Sequence, residues 1–247
     1  MPYFFCKLDF IFGLLYNKEK NIIERKRIGM KILFQGDSIT DGNRYKNNAW
    51  DKNHQIGHSY VYIIAGLLGM NYPEKRYEFI NKGISGNQTA NLLARWENDC
   101  LAIKPDVLSV LVGVNDCLFS SPAGKSDLSA SKYEENYRIL LTLARENNPD
   151  LKIILLEPFA DIEHQQGVTT TATIRAAILR SEQKIVRKLA KEFDAIFVPL
   201  QEIFDEAIRK SEASYYIWDG THPTEAGHAL IAREWFRATK DIFDFEL

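Results

Sequence analysis

KILFQGDSITDG (Lys31–Gly42) opens as a short apolar run that stops after Phe34 and hands over, past Gln35, to Gly36, Asp37 and Ser38. A continuous apolar run of that length suits a strand covered on both faces, as in a parallel sheet. Similar runs recur at YEFIN (Tyr77–Asn81), DVLSVLVG (Asp106–Gly113), KIILLEP (Lys152–Pro158) and AIFVP (Ala195–Pro199). Between them, apolar residues fall at helical spacing. SYVYIIAGLLGM follows the first run and TANLLARWENDCL the second, with Leu92 and Trp96 one turn apart. Ser131 and Glu134 form a capping-box pattern ahead of Tyr137, Leu140, Leu141 and Ala144. TIRAAILRSEQKIVRKLAKEF precedes the fifth run, and PTEAGHALIAREWFRAT, with Thr224 as its cap, closes the chain.

Strand and helix in alternation predict an α/β fold with right-handed crossovers. The expected architecture is a flavodoxin-like three-layer α/β/α sandwich whose five-stranded parallel sheet has the order 2-1-3-4-5. Ligands of such sheets bind beyond the carboxyl ends of the strands, where the order reverses between strands 1 and 3. Ser38 follows strand 1, Gly83 to Gly86 follow strand 2, and Asn115 follows strand 3, so one place gathers all three loops.

A serine hydroxyl is a weak nucleophile unless a base lies within hydrogen-bond reach and the base is itself oriented. WDGTHP supplies both partners, Asp219 and His222, three residues apart. The loop NKGISGNQT offers backbone N–H groups that glycine leaves approachable. Asn115 in GVND offers an amide donor, and the Ser38 N–H a further one, for the oxyanion of an acyl-transfer intermediate. The GxSxG elbow of α/β-hydrolases is absent around Ser38, which disfavours that fold.

With these stretches in view, the chain resembles the SGNH or GDSL hydrolases. Four blocks carry the likeness: GDSIT with Ser38, GISGN with Gly86, GVND with Asn115, and DGTHP with Asp219 and His222. They lie in order between about Met30 and Thr239. The resemblance implies a flavodoxin-like fold and ester hydrolysis with neither metal nor other cofactor. It assigns Ser38 as nucleophile, His222 as base and Asp219 as its orienter, with Ser38, Gly86 and Asn115 as oxyanion donors. NKGISGN, ARWENDC and AGHALIARE are most similar to small intracellular esterases that deacetylate xylan fragments. The expected function is therefore short-chain, acetyl ester hydrolysis on carbohydrates such as xylo-oligosaccharides. The alternative within the family is a lysophospholipase or acyl thioesterase. Rivals from other classes are a catalytically silent carbohydrate-binding module and a metal-dependent phosphoesterase using Asp37, Asp116 and Asp219.

Other residues have plainer readings. Asp37 and Asp116 are expected to fix loops through backbone N–H groups rather than to hold a metal. Trp218 is expected to line the acyl pocket and Trp96 to fill core. His54, His58, His164 and His228 lack ligand spacing and read as structural or exposed. The irregular stretches after the strands are polar, so a hydrated rim is expected rather than an apolar tunnel.

Composition narrows the partners. The 31 Lys and Arg nearly balance the 33 Asp and Glu, which argues against nucleic acid. A small-molecule or oligosaccharide ester is the expected partner, and association of the chain with itself stays open. Three scattered cysteines without a CxxC pair fit a reducing cytoplasm better than a disulfide framework. The domain is expected to span 30–247. Residues 1–29 stand apart as an N-terminal extension, with Phe4, Phe5, Leu8, Ile11, Phe12 and Leu15 forming an apolar stripe. Three readings apply to it: a non-native or dispensable start, a helix packed on the domain or on another copy, and a membrane-surface anchor. It is too short to span a bilayer.

Overall fold

The structure, a computed structural model, describes residues 29–46, 52–119, 126–162, 166–243 and 245. The apolar stripe at Phe4–Leu15 and His164 lie outside these residues. Five strands, β1 (Lys31–Gly36), β2 (Glu78–Asn81), β3 (Val107–Leu111), β4 (Lys152–Leu156) and β5 (Ile196–Val198), form one sheet in the order β2-β1-β3-β4-β5. All four pairings are parallel, with Ile32 opposite Val107 and Ile154 opposite Ile196. This is the predicted topology, and each strand lies within the run that announced it, except that β1 extends one residue further, to Gly36.

Alternation along the strands sends side chains to opposite faces. Ile32, Phe34, Val107, Leu111, Ile154 and Leu156 enter one buried cluster. Leu33, Leu108, Val110, Ile153 and Leu155 enter the other. The first is covered by α3 (Tyr60–Asn71), α8 (Gln201–Ile208) and α10 (Glu225–Ala238), the second by α4 (Thr89–Trp96) and α6 (Ser126–Asn147), and α7 (Thr170–Glu192) contributes to both. Burying one large apolar side chain is worth about 1.5–3 kcal/mol, so the fully buried Phe34 and Trp235 are major anchors of the first layer. Ser109 points into that layer as well, where its Oγ accepts the Trp235 indole N–H at 3.1 Å. Trp96 is buried in the second cluster, as expected.

Two helix boundaries differ from expectation. Ser131 is not a cap: α6 begins at Ser126, and Ser131 is an exposed residue inside it. Glu134 reaches across to Arg138 and Lys188 instead of closing a capping box. The second helix does not run evenly to Leu101. It gives way after Trp96 to a wider π turn, Glu97–Leu101, with Ala102 N–H donating to Glu97 C=O at 2.8 Å. The turn sits where Asp99 is bound by both Lys82 and Arg95. The short helices α2 (Lys52–Ile56) and α9 (Ala213–Tyr216), and α8 with them, carried no periodicity long enough to announce them. Thr224 caps α10 as predicted, its Oγ1 accepting from Gly227 N–H. Among the described residues no helix is long and apolar enough to cross a membrane.

Candidate active site

The nucleophile candidate sits in a tight reversal of the chain. A Cβ on Gly36 would lie 2.3 Å from Leu111 C=O and 2.4 Å from Thr40 Oγ1, so only glycine lets β1 end against β3. Asp37 then caps α1 (Ser38–Asp41), accepting from Ile39 N–H at 3.0 Å. That single turn presents Ser38 at its start, half-buried, at the carboxyl edge of the sheet.

The partners come from the loop before α10. Ser38 Oγ lies 2.8 Å from His222 Nε2, and His222 Nδ1 lies 2.7 Å from Asp219 Oδ2. Asp219 Oδ1 also accepts the backbone N–H groups of Thr221 and His222, at 2.9 and 2.7 Å. Burial alone would raise the Asp219 carboxyl, but those N–H donors and the imidazole outweigh it and hold the pKa below the ordinary value. An ionised carboxylate only accepts, so the shared proton belongs to Nδ1. That leaves the Nε2 lone pair facing the serine. The loop is closed by Trp218 N–H donating to His222 C=O at 3.1 Å and by the bridge from Ile217 to Pro223.

Loops after β2 and β3 supply the remaining candidates. Gly86 has φ +79°, the left-handed region, and its side-chain position is open space. Among the described residues neither Gly86 N–H nor Ser38 N–H has an acceptor. Asn115 lies in α5 (Val114–Leu118), where its Nδ2 donates to Asn87 C=O at 3.1 Å and keeps a second hydrogen to offer. Gln88 Nε2 donates to Asn115 C=O at 3.2 Å and steadies the same turn.

Asp37 and Asp116 fix loops, as their positions suggested. Asp116 accepts from both Thr89 N–H and Thr89 Oγ1, the latter at 2.6 Å. Burial raises the Asp37 pKa to about 7 despite the Ile39 N–H, with the charge of Asp116 adding to the rise. Burial likewise lifts Asp116 to about 6, against the two bonds from Thr89. Among the described residues no group of three or more His, Cys, Asp and Glu side chains is placed to hold a metal ion.

Trp218 lies beside the candidate triad. Its ring stacks on His222 with centroids 5.9 Å apart, yet 61% of its surface remains exposed. It covers one face of the imidazole. His228 is structural: its Nδ1 accepts Tyr60 N–H at 3.2 Å, and burial pushes its pKa down to about 4. His54 and His58 are exposed. Sequence reasoning did not single out Asn87, Arg95 or Asp41, although each lies within or beside a quoted block.

A hydroxyl, an imidazole and a carboxylate lie in line on the carboxyl edge of a 2-1-3-4-5 parallel sheet, the arrangement expected of a hydrolase of the serine type on a flavodoxin-like fold. Residues 34–230 match the model of the GDSL-like lipase/acylhydrolase family. An acetylxylan esterase of Geobacillus stearothermophilus is 36% identical over 213 residues, covering 85% of this chain and 93% of that protein. The crystal structure of Axe2, an acetylxylan esterase from the same organism, superposes with a TM-score of 0.71 at 34% identity, covering 89% of this chain and 97% of that one. A GDSL-like lipase from Parabacteroides merdae gives a TM-score of 0.75 at 37% identity, covering 85% and 95%. The chain belongs to the GDSL-like lipase/acylhydrolase family and is a carboxylic ester hydrolase.

Proposed function

We propose that the enzyme removes acetyl groups from carbohydrate hydroxyls, with oligosaccharides such as acetylated xylo-oligosaccharides as the substrate class. The observation that carries the mechanism is the continuous path from Ser38 Oγ through His222 to Asp219, with contacts of 2.8 and 2.7 Å. The acetylxylan esterase identity of a relative covering 85% of the chain supports the substrate class.

Ser38 Oγ attacks the acetyl carbonyl as His222 Nε2 takes its proton. Asp219 steadies the imidazolium that forms and keeps its ring in place. Charge collects on the former carbonyl oxygen, and Ser38 N–H, Gly86 N–H and Asn115 Nδ2 are the donors assigned to it. His222 Nε2–H then protonates the departing sugar oxygen, which leaves an acetyl ester on Ser38. A water activated by the same imidazole releases acetate and restores the serine. These steps use side chains, backbone N–H groups and water. Asp37, Asp116 and Asp219 are each committed to N–H or hydroxyl donors, which disfavours the metal-dependent phosphoesterase reading. A cytoplasmic location accompanies the proposal, and the free thiols of Cys100 and Cys117 agree with it.

The direct test is a fluorophosphonate label followed by peptide mapping, together with acetate release from acetylated xylo-oligosaccharides. Label on Ser38 and release that is lost in Ser38→Ala and unaffected by EDTA are expected. Label on another serine overturns the assignment of the nucleophile. Turnover of 4-nitrophenyl acetate without release from the oligosaccharide overturns the substrate class.

A further inference from the structure

Gly86 is gripped from both sides while it stays free itself. Ser85 N–H donates to Asp41 Oδ2 at 3.0 Å on one side. On the other, Asn87 Oδ1 accepts from Arg95 Nε at 2.9 Å. Neither grip comes from the loop's own turn, since Asp41 ends α1 and Arg95 lies in the last turn of α4. Arg44 adds a third hold, donating from Nε to Gly83 C=O at 3.0 Å.

Arg95 does more than hold Asn87. Its Nη1 donates to Gln35 Oε1 at 2.9 Å and to Asp99 Oδ2 at 3.0 Å, and its Nη2 reaches Gly36 C=O at 3.5 Å. Gln35 and Gly36 end β1, directly ahead of Asp37 and Ser38. Asn87 in turn lends its C=O to Asn115 Nδ2. One planar guanidinium therefore connects the strand before Ser38, the loop carrying Gly86 and the support of Asn115. A guanidinium fork fixes direction as well as distance, which a lysine ammonium does not. The π turn after Trp96 has a role in this arrangement: it holds Asp99, the counter-charge that keeps Arg95 in place.

We propose that Arg95, with Asp41 opposing it, is a positioning residue that holds the three oxyanion donors in register. The inference rests on the oxyanion role proposed for Ser38, Gly86 and Asn115. Arg95 touches no reacting atom, and its effect passes through Asn87 and the end of β1. Misplacing a donor matters most once charge has developed, so the loss belongs in kcat rather than in KM.

The experiment measures 4-nitrophenyl acetate hydrolysis and thermal melting for Arg95→Ala, Arg95→Lys and Asp41→Asn, beside Ser38→Ala and Asn115→Ala. Displacing a reacting group by about 1 Å can cost roughly 10²-fold in rate. A kcat loss of that order is expected for Arg95→Ala, with KM within about twofold of the wild type on the scale of a purely positional effect. Guanidinium ion at millimolar concentration should restore part of the Arg95→Ala rate without changing the wild type, because it can refill the fork. Arg95→Lys keeps a cation in the fold and is expected to lose kcat too, so it carries the test if Arg95→Ala fails to fold. A folded Arg95→Lys with wild-type kcat, a loss confined to KM, or a folded Arg95→Ala that guanidinium does not rescue each overturns the proposal. Activity surviving in Ser38→Ala would instead sink the nucleophile assignment, and activity unchanged in Asn115→Ala the oxyanion assignment, so the failures are distinct.

Discussion

Two regions flank the Ser38 hydroxyl, and each places an aspartate there: the turn after β1 with Asp37, and the loop before α10 with Asp219. Asp37 is fully enclosed, accepts one N–H on its side chain, and has its pKa raised to about 7 by burial. Asp219 keeps 26% of its side chain exposed and takes two backbone N–H groups and an imidazole, which hold its pKa low. The difference lies in how many donors each carboxylate receives and how much water it retains. A carboxylate that must steady an imidazolium has to stay charged. One that only fixes a turn needs an acceptor oxygen and tolerates being neutral. Asp116, lifted to about 6 behind Asn115, belongs with Asp37 in this respect.

The sharpest test of the contrast replaces each acid by its amide. Asp219→Asn should lower kcat by about 10⁴, because an amide no longer sets the imidazole tautomer or balances its charge. Asp37→Asn keeps an oxygen for Ile39 N–H, and asparagine is as good a cap as aspartate, so kcat should stay within about tenfold of the wild type. Comparable losses in the two variants, read from steady-state hydrolysis of 4-nitrophenyl acetate, would erase the distinction.

Asn115→Ala comes next in size. Loss of one oxyanion donor costs about 10²–10³ in kcat. Here the amide also ties Asn87 to α5, so the upper part of that range is expected. The check is a kcat/KM split: a rise in KM at constant kcat would make Asn115 a ground-state binding residue.

The third test uses stability and pH. Asp37 has a folded pKa above its unfolded one, so between the two values the folded protein binds more protons than the unfolded chain. Its contribution is therefore fully present below the ordinary carboxylate pKa and is lost as pH rises towards about 7. One pKa unit corresponds to about 1.4 kcal/mol. Asp37→Asn mimics the neutral acid at every pH, so its stability relative to wild type should improve by on the order of 1–2 kcal/mol between pH 5 and pH 7, allowing for partial relaxation. Urea melts at several pH values measure this. A relative stability that falls with pH would mean that Asp37 is ionised in the folded protein.

These contrasts also mark what the sequence could tell. Strand runs and helical spacing carried the topology, because a parallel sheet covered on both faces writes itself as short apolar segments. The four blocks pointed to Ser38, Asp219 and His222, which the fold brings into one line of contacts, and to Gly86 and Asn115, whose proposed roles depend on residue type at a loop position. The start of α6 was missed because Ser131 satisfied a local pattern that the preceding residues overrode. Arg95 was not legible because its meaning is entirely tertiary. Its partners Gln35 and Asn87 lie 60 and 8 residues away, and inside ARWENDC it reads as one more charge on a helix face. The exposure of Trp218 was likewise invisible, since an aromatic in a loop looks the same in sequence whether it is buried or faces water.

The effect smallest per step is the one that bears on substrate class. A longer acyl chain gains affinity by burying methylenes, each worth about 0.8 kcal/mol, or roughly fourfold. That gain needs apolar surface beside Ser38. Trp218 lies against His222 with most of its surface in water, and Asp219 is bonded to the same imidazole. The described residues after β1 and β4 are mostly polar too, Asn43, Arg44, Lys46, Gln166 and Thr169 among them, with Tyr45 and Val168 the exposed exceptions. Such surroundings suit a sugar's hydroxyls and leave extra methylenes exposed. We therefore expect kcat/KM to fall from acetate through butyrate to octanoate in a series of 4-nitrophenyl esters, by no more than about fourfold per methylene. Trp218→Ala should change the slope little, because a ring that caps an imidazole contributes similarly to every member of the series. A slope that rises towards octanoate would reject acetyl selectivity and return the lysophospholipase or thioesterase reading. A steep fall abolished by Trp218→Ala would instead show that the ring does wall the acyl site, and that the open position beside His222 closes when substrate binds.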